Sequence, residues 1–295
     1  MSTVSSKPGN LHRLIDINGW AFVSVSLALV VIFMVYPILN SLWLSLHSGK
    51  GAIVEFVGLG NVIHLFEDEV FLISLKNTLI FLSVQVPVMI LLALALSSCL
   101  NNPNLKFKGF FRLAIFLPCV TSLVAYSILF KSMFSYDGVV NSFLMWLGVI
   151  DTGLHWLTDP FWSKVLIILA ITWRWTGLNM IYYLAAMQNI DKSVYEAARI
   201  EGVSPFRQFW YITVPLLKPV ILFTSVMSTI GTLQLFDEIV NITGDTDATI
   251  TLATYIYNLS FKWMPNFGYA ATVSYVIVFF AAIISFIQFR LSKDK

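Results

Sequence analysis

Arg174 lies inside an apolar run, and Thr172, Thr176, Asn179 and Tyr183 recur around it at helical spacing, with Trp173 and Trp175 alongside. Such residues form one polar stripe on a helix. Hydrogen-bonding groups next to aromatic faces are what a polyhydroxylated ring requires, since hydroxyls need partners and the C–H faces need a flat apolar surface. Thr224, Ser228, Gly231 and Gln234 make a second stripe that ends at Asp237 and Glu238. Small polar residues in apolar helices also serve close helix packing, so the two stripes carry both readings. Arg174 is set about a dozen residues from the later end of the fourth apolar run, at mid-membrane depth, where it must face protein, water or a carboxylate. Asp237 or Glu238 is the expected partner by depth.

A third polar feature is the elbow from Ser193 to Pro215, S-V-Y-E-A-A-R-I-E-G-V-S-P-F-R-Q-F-W-Y-I-T-V-P. Ser193 and Glu196 have the spacing of a capping box, and Glu196, Ala197, Ala198 and Arg199 are good helix formers. Gly202 suits the left-handed residue that ends a helix, and Ser204-Pro205 supplies an N-cap and first-turn proline for another. The pattern predicts a short helix, a turn and a second short helix.

The elements that position these residues are apolar. Of 295 residues, 58% are hydrophobic and 12% charged, and the mean hydropathy is +0.80, outside the range of soluble domains. Apolar runs predict six membrane spans, at about residues 20–46, 72–100, 113–133, 165–187, 219–236 and 268–289. Pro37 is expected to kink the first. Residues 1–19 read as a polar, unstructured lead, residues 20–46 as a first transmembrane helix, and residues 72–290 as a core of five spans with the elbow at 190–215. Trp146, Trp156 and Trp162 suit an interfacial belt. We find no internal repeat. Lys7, Arg13, Lys106, Lys108, Arg112, Lys192, Arg199, Arg207, Lys218, Arg290, Lys293 and Lys295 fall at the termini and in alternate loops. They are twelve of the eighteen cationic side chains, which predicts both termini and the elbow on the cytoplasmic side.

The composition and motifs exclude several classes. A net charge of +2 gives no ground for nucleic acid binding. No G-x-x-x-x-G-K-[ST] phosphate loop, H-E-x-x-H or G-x-S-x-G occurs, and Gly49-Lys50 is followed by Gly51. Cys99 and Cys119 read as packing residues, and His12, His47, His64 and His155 fall in terminal or loop segments, so neither catalysis nor a metal site is expected.

The elbow, with E-A-A at Glu196 to Ala198, then Glu201-Gly202 and Ile212-Thr213-x-Pro215, resembles the cytoplasmic EAA loop of permease subunits in bacterial ATP-binding-cassette importers. Further landmarks resemble the carbohydrate branch of that family: F-V-G-L-G-N from Phe56 to Asn61, N-T-L from Asn77, F-F-R from Phe110, F-L-P from Phe116, W-R-W-T-G-L-N from Trp173 and F-D-E from Phe236. Glu201 stands where the family usually has Asp. Gly244-Asp245-Thr246-Asp247 replaces a Gly-Gly-Pro-like turn, and the first loops are too short for the large insertion of the maltose-type subunit.

The resemblance implies an all-α membrane protein of the type I importer permease fold, with six transmembrane helices and a cytoplasmic helix-turn-helix coupling loop in a bacterial inner membrane. It implies that Glu196, Ala197, Ala198, Glu201 and Gly202 dock on the ATPase. The substrate pathway would be lined by Arg174, Thr176, Asn179, Tyr183, Ser228, Gln234, Asp237 and Glu238. The expected partners are two cassette ATPase subunits that bind the ATP, a second homologous permease, an extracytoplasmic binding protein and a carbohydrate-like solute. This chain itself would hold no cofactor and catalyse nothing. The alternative is a secondary transporter or channel without an ATPase, which predicts repeated halves with broken helices and acidic residues buried in mid-span.

Overall fold

The computed structural model describes residues 10–49 and 55–293. The chain opens with α1 (Asn10–Val30), a π-helical turn (Val31–Val35) and α2 (Tyr36–Ser45). Residues 1–9 of the expected lead lie outside the described residues, but helix already runs from Asn10. Pro37 enters just after the π-turn, in the first turn of α2, where its missing N–H disturbs the ladder least. A two-stranded ribbon, β1 (His47–Ser48) with β2 (Glu55–Phe56), and α3 (Gly60–Leu65) lead to α4 (Glu69–Asn101). Asp68 caps α4, accepting from the amides of Val70 (2.9 Å) and Phe71 (3.1 Å).

Next come α5 (Lys108–Val120), α6 (Leu123–Met133) and α7 (Val139–Trp146). Asp159 then caps α8 (Pro160–Gln188) through the amides of Phe161 and Trp162, both at 2.9 Å, with Pro160 in the first turn. The elbow comprises α9 (Lys192–Ile200), α10 (Pro205–Gln208), a π-turn (Phe209–Thr213) and α11 (Val214–Leu216). It passes into α12 (Lys218–Leu233), a π-turn (Ile239–Thr243), α13 (Leu252–Tyr257), a further π-turn (Asn258–Lys262) and α14 (Phe267–Lys293).

Four helical stretches among the described residues have the length and composition to cross a membrane: 19–45, 69–101, 160–188 and 267–292. Two bent pairs bring the number to six if each is one span. The expected straight span at 113–133 is one of these pairs. It breaks at Thr121 and Ser122, where α5 and α6 meet at 100°. Thr121 and Ser122 leave helical geometry three residues after Pro118, a break that average hydropathy does not register. The fifth expected span, 219–236, ends as a helix at Leu233, and the elbow meets α12 at 70°.

The core is three apolar clusters, each with residues of α4 and two of them with residues of α8. Ala93, Leu94, Met180 and Leu217 lie in the cluster at the elbow end, Phe81, Tyr126, Leu166 and Ile239 in the middle, and Phe71, Leu252, Tyr269 and Val273 at the far end. Lipid is as apolar as these side chains, so close packing and interhelical hydrogen bonds must supply the association. Gly177 lets α8 meet α5. A Cβ built there would lie 2.1 Å from the carbonyl oxygen of Ile115. Tyr183 bonds Thr224 at 2.6 Å, Thr232 donates to Gln85 at 3.0 Å, and the Gln288 amide reaches Ser225 and Thr229 at 2.9 Å each. The first span is exposed along its apolar length and is fastened at its end, where Tyr275 donates to the carbonyl of Ile38 (2.7 Å) and Thr272 to that of Ser45 (3.1 Å).

Candidate functional site

α4, α8 and α12 enclose a cavity of about 450 Å³, with Leu123 at the start of α6 and the turn at 234–238 completing its wall. That volume falls in the range of small-molecule sites, roughly 300–1,000 Å³. The face of α8 that lines it carries Ile171, Arg174, Trp175, Leu178, Asn179 and Tyr182, spaced as one helical stripe. From α12 come Thr224, Ser228, Gly231 and Thr232, and the chain then turns so that Gln234, Asp237 and Glu238 reach the same space.

Six of the eight residues named for the solute path are therefore brought together: Arg174, Asn179, Ser228, Gln234, Asp237 and Glu238. Thr176 and Tyr183 are not among the lining residues. Thr176 is buried and donates to the carbonyl of Thr172 at 2.6 Å, and Tyr183 is buried against Thr224. The polar stripe at 172, 176, 179 and 183 is thus mostly a packing face, and only Asn179 also borders the cavity. Its amide donates to the carbonyl of Trp175 (3.0 Å) and approaches the sulfur of Met89 (3.5 Å).

Gln85 and Met89 of α4, and Tyr182, Phe223 and Phe236, were missed by sequence reasoning. Gln85 carried a signal, an uncharged amide in mid-span, while Tyr182 lies eight residues beyond Arg174 on the same face.

Arg174 does not pair with a carboxylate. The only ion pair among the described residues is Lys262 with Asp245 at 3.0 Å, at the far end. The Arg174 guanidinium instead lies 4.9 Å from the ring centre of Tyr126 and 5.6 Å from that of Trp175, a cation–π setting. Its Nε and Nη1 are enclosed without a hydrogen-bond acceptor. Glu238 is buried at the cavity wall. No three His, Cys, Asp or Glu side chains among the described residues gather to hold a metal.

At the elbow, the expected cap at Ser193 is displaced by two residues. Asp191 is the N-cap of α9 and accepts from the amide of Ser193 at 2.9 Å. The Ser193 amide and hydroxyl hold the Asp191 carboxyl below its ordinary range. A carboxylate placed ahead of the serine takes the orphan amide first, leaving Glu196 free on the exposed face. The helix ends in a Schellman arrangement: the amide of Gly202 donates to the Arg199 carbonyl (3.0 Å) and that of Val203 to Ala198 (2.9 Å). Gly202 has φ +74° and open space where a Cβ would stand, so its requirement is purely conformational. Ser204 caps α10 on the amide of Arg207 at 3.5 Å. Tyr195 bonds Thr213 (3.0 Å) and Gln208 donates to the Val203 carbonyl (2.8 Å), closing the elbow on itself. Glu196, Ala197, Glu201 and Gly202 are exposed, and Ala198 is buried. Ile200 and Phe206, 87% and 74% exposed, give this polar elbow an apolar outer surface.

Comparison with known proteins gives concordant findings. The family model described as binding-protein-dependent transport system inner membrane component matches residues 77–294. The lactose transport system permease protein LacF of Rhizobium radiobacter is 58% identical over the whole of both chains. The arabinooligosaccharides transport system permease protein AraP of Bacillus subtilis is 32% identical over 89% of this chain and 84% of its own. The sulfoquinovosyl glycerol transport system permease protein SmoG of Agrobacterium fabrum is 30% identical, covering 96% of this chain and 92% of its own. A chain of a crystal structure described as a bacterial ABC transporter involved in the import of the acidic polysaccharide alginate superposes with a TM-score of 0.83. It has 23% identity over 97% of this chain and 99% of that one, a likeness of fold.

Proposed function

Because this chain belongs to the family of binding-protein-dependent transport system inner membrane components, we propose that it forms half of the translocation pathway of an ATP-driven importer for a neutral disaccharide, with lactose the first solute to test. The observation that carries the solute class is the 58% identity with a lactose transport permease over the full length of both chains. A cavity lined by amides, hydroxyls and aromatic rings agrees with it.

In this reading the cavity is this chain's share of the solute path, and a second, homologous permease supplies the rest. The elbow meets one of two cassette ATPase subunits, which bind the ATP, through Glu196 and the surface around Ile200 and Phe206. The chain has no cofactor of its own and catalyses no reaction. Both termini lie in the cytoplasm with the elbow, and the opposite end receives the solute-loaded binding protein. Secondary transport is disfavoured by the lack of repeated halves and by the family.

Two experiments test this. A strain lacking only this chain should lose uptake of radiolabelled lactose and regain it on complementation. Lactose uptake that persists in the deletion strain, or that needs no ATPase partner, would overturn the proposal. Thiol labelling of whole cells should mark a cysteine substituted for Asp247 and spare one substituted for Ser204. The reverse pattern would invert the orientation.

A further inference from the structure

The cavity wall carries one cation, Arg174, and two carboxylates, Asp237 and Glu238, and no ion pair joins them. Arg174 is fixed from behind. Its guanidinium rests on the Tyr126 ring, and Nε and Nη1 are enclosed with no acceptor. Arg174 also borders the cavity. Two enclosed guanidinium nitrogens without an acceptor among the described residues are an uncommon arrangement in a protein interior, where buried polar groups are almost always paired. Glu238, 6% exposed, also presents a carboxylate to the cavity with no side-chain hydrogen bond among the described residues.

We infer that Arg174 and Glu238 are the opposed donor and acceptor of a solute subsite that takes the hydroxyls of an uncharged sugar and turns away sugar acids. The inference rests on the sugar import proposed above and adds the charge class of the solute and the residues that select it. Guanidinium nitrogens can only donate and a carboxylate can only accept, whereas a sugar hydroxyl does both. One sugar ring therefore satisfies both groups, with Trp175 beside Arg174 offering a flat face to its C–H surface. A carboxylate-bearing sugar would satisfy Arg174 but bring its charge to Asp237 and Glu238, and like charges in a partly desolvated cavity repel strongly.

The test uses the whole importer in proteoliposomes, with a cysteine introduced by Ser228→Cys as a reporter of cavity occupancy. Its alkylation is read on that peptide by mass spectrometry. Three probes are compared: lactose, lactitol (its neutral open-chain alcohol) and lactobionate (its open-chain acid). Lactitol and lactobionate differ essentially in charge. Lactose and lactitol should slow alkylation, and lactobionate should need about tenfold more or worse. Adding Arg174→Gln should raise the lactose concentration required by about tenfold or more, the expected loss of a charged hydrogen bond. Adding Glu238→Gln should narrow the gap between lactitol and lactobionate, a gain that general damage to the fold would not produce. Lactobionate protecting as well as lactitol would overturn the inference, as would Arg174→Gln and Glu238→Gln proteins both protected at the parental lactose concentration. Should Arg174→Gln fail to co-purify with its partners, the lactitol-to-lactobionate ratio with and without Glu238→Gln still decides. If another neutral disaccharide protects and lactose does not, the lactose assignment fails, and the alcohol-to-acid ratio for that sugar decides the subsite.

Discussion

At the elbow, helix α9 is ended by backbone geometry, and two local side-chain bonds, Tyr195 to Thr213 and Gln208 to Val203, hold α10 and the π-turn against it. At the opposite end, side-chain bonds tie loops and helix ends together, those of Asp68, Asn77 and Thr78 across 170 residues or more and those of Asn61 and Asn141 across 16 or fewer. Asp68 accepts from the hydroxyls of Tyr255 and Tyr269, the latter at 2.6 Å. Asn77 donates to the carbonyls of Asp247 and Ile250, both at 3.0 Å, and Thr78 accepts from the amide of Leu252 at 3.1 Å. Asn61 donates to the carbonyls of Ser45 and His47, each at 2.8 Å. Asn141 is buried and bonded to Ser135, Tyr136, Leu154 and the Trp156 indole. The elbow is thus closed on itself by its own local bonds.

That contrast can be broken first at Gly202. Gly202→Val must leave φ +74° or carry the strain of holding it, at roughly 1–2 kcal/mol. Because nothing else crowds the site, the effect should be confined to the elbow. We expect normal insertion, normal melting of the far end and loss of solute uptake, measured in reconstituted importer. Wild-type uptake would show that the elbow's angle is immaterial.

The far end should respond in stability. Asn141→Ala leaves several backbone carbonyls and the Trp156 indole without their partner, a cost of about 1–3 kcal/mol, read as a lower melting temperature in detergent. An unchanged melting temperature would mean that the stitching is ornamental.

Asp68 gives a smaller, pH-dependent effect. Burial pushes its carboxyl up, but the hydroxyls of Tyr255 and Tyr269 and the amides of Phe71 and Val70 outweigh that and set it below its ordinary value. A carboxyl lowered on folding contributes stability above its unfolded value, about 3.9, and loses it as the pH falls through the folded value. The melting difference between wild type and Asp68→Asn should therefore be constant through neutral pH and shrink only in strong acid. A difference that vanished near pH 6 would contradict this assignment. Smallest of all, Asp191→Ala should cost α9 about 1 kcal/mol of capping, whereas Ser193→Ala should cost much less. The reverse order in helix content or elbow proteolysis would restore Ser193 as the cap.

The membrane class, the elbow with its Gly202 turn and six of the residues that line the cavity were legible in the sequence, because apolar run length, polar spacing and turn chemistry are local properties. The landmarks Asn61, Asn77 and Gly177 were legible as a pattern and acquire a physical role only in the fold, two as donors to distant carbonyls and one as the gap through which α5 approaches. The corner at Thr121 and Ser122 escaped because hydropathy averages over it. The rest of the cavity face of α8 escaped because polarity in a membrane helix marks what is buried in protein, and a packing seam satisfies that as well as a cavity. Thr172, Thr176 and Tyr183 belong to the seam, while Arg174, Leu178 and Tyr182 face the space beside it.

The contact at Gly177 has a mechanical meaning. With no side chain to hold them apart, α5 and α8 touch backbone to backbone at Ile115 and Gly177. The 100° corner at residues 121–122 follows that contact in the chain, and Leu123, the first residue beyond it, is already part of the cavity wall. A change in the corner's angle would therefore carry Leu123 and α6 with it and alter the width of the cavity.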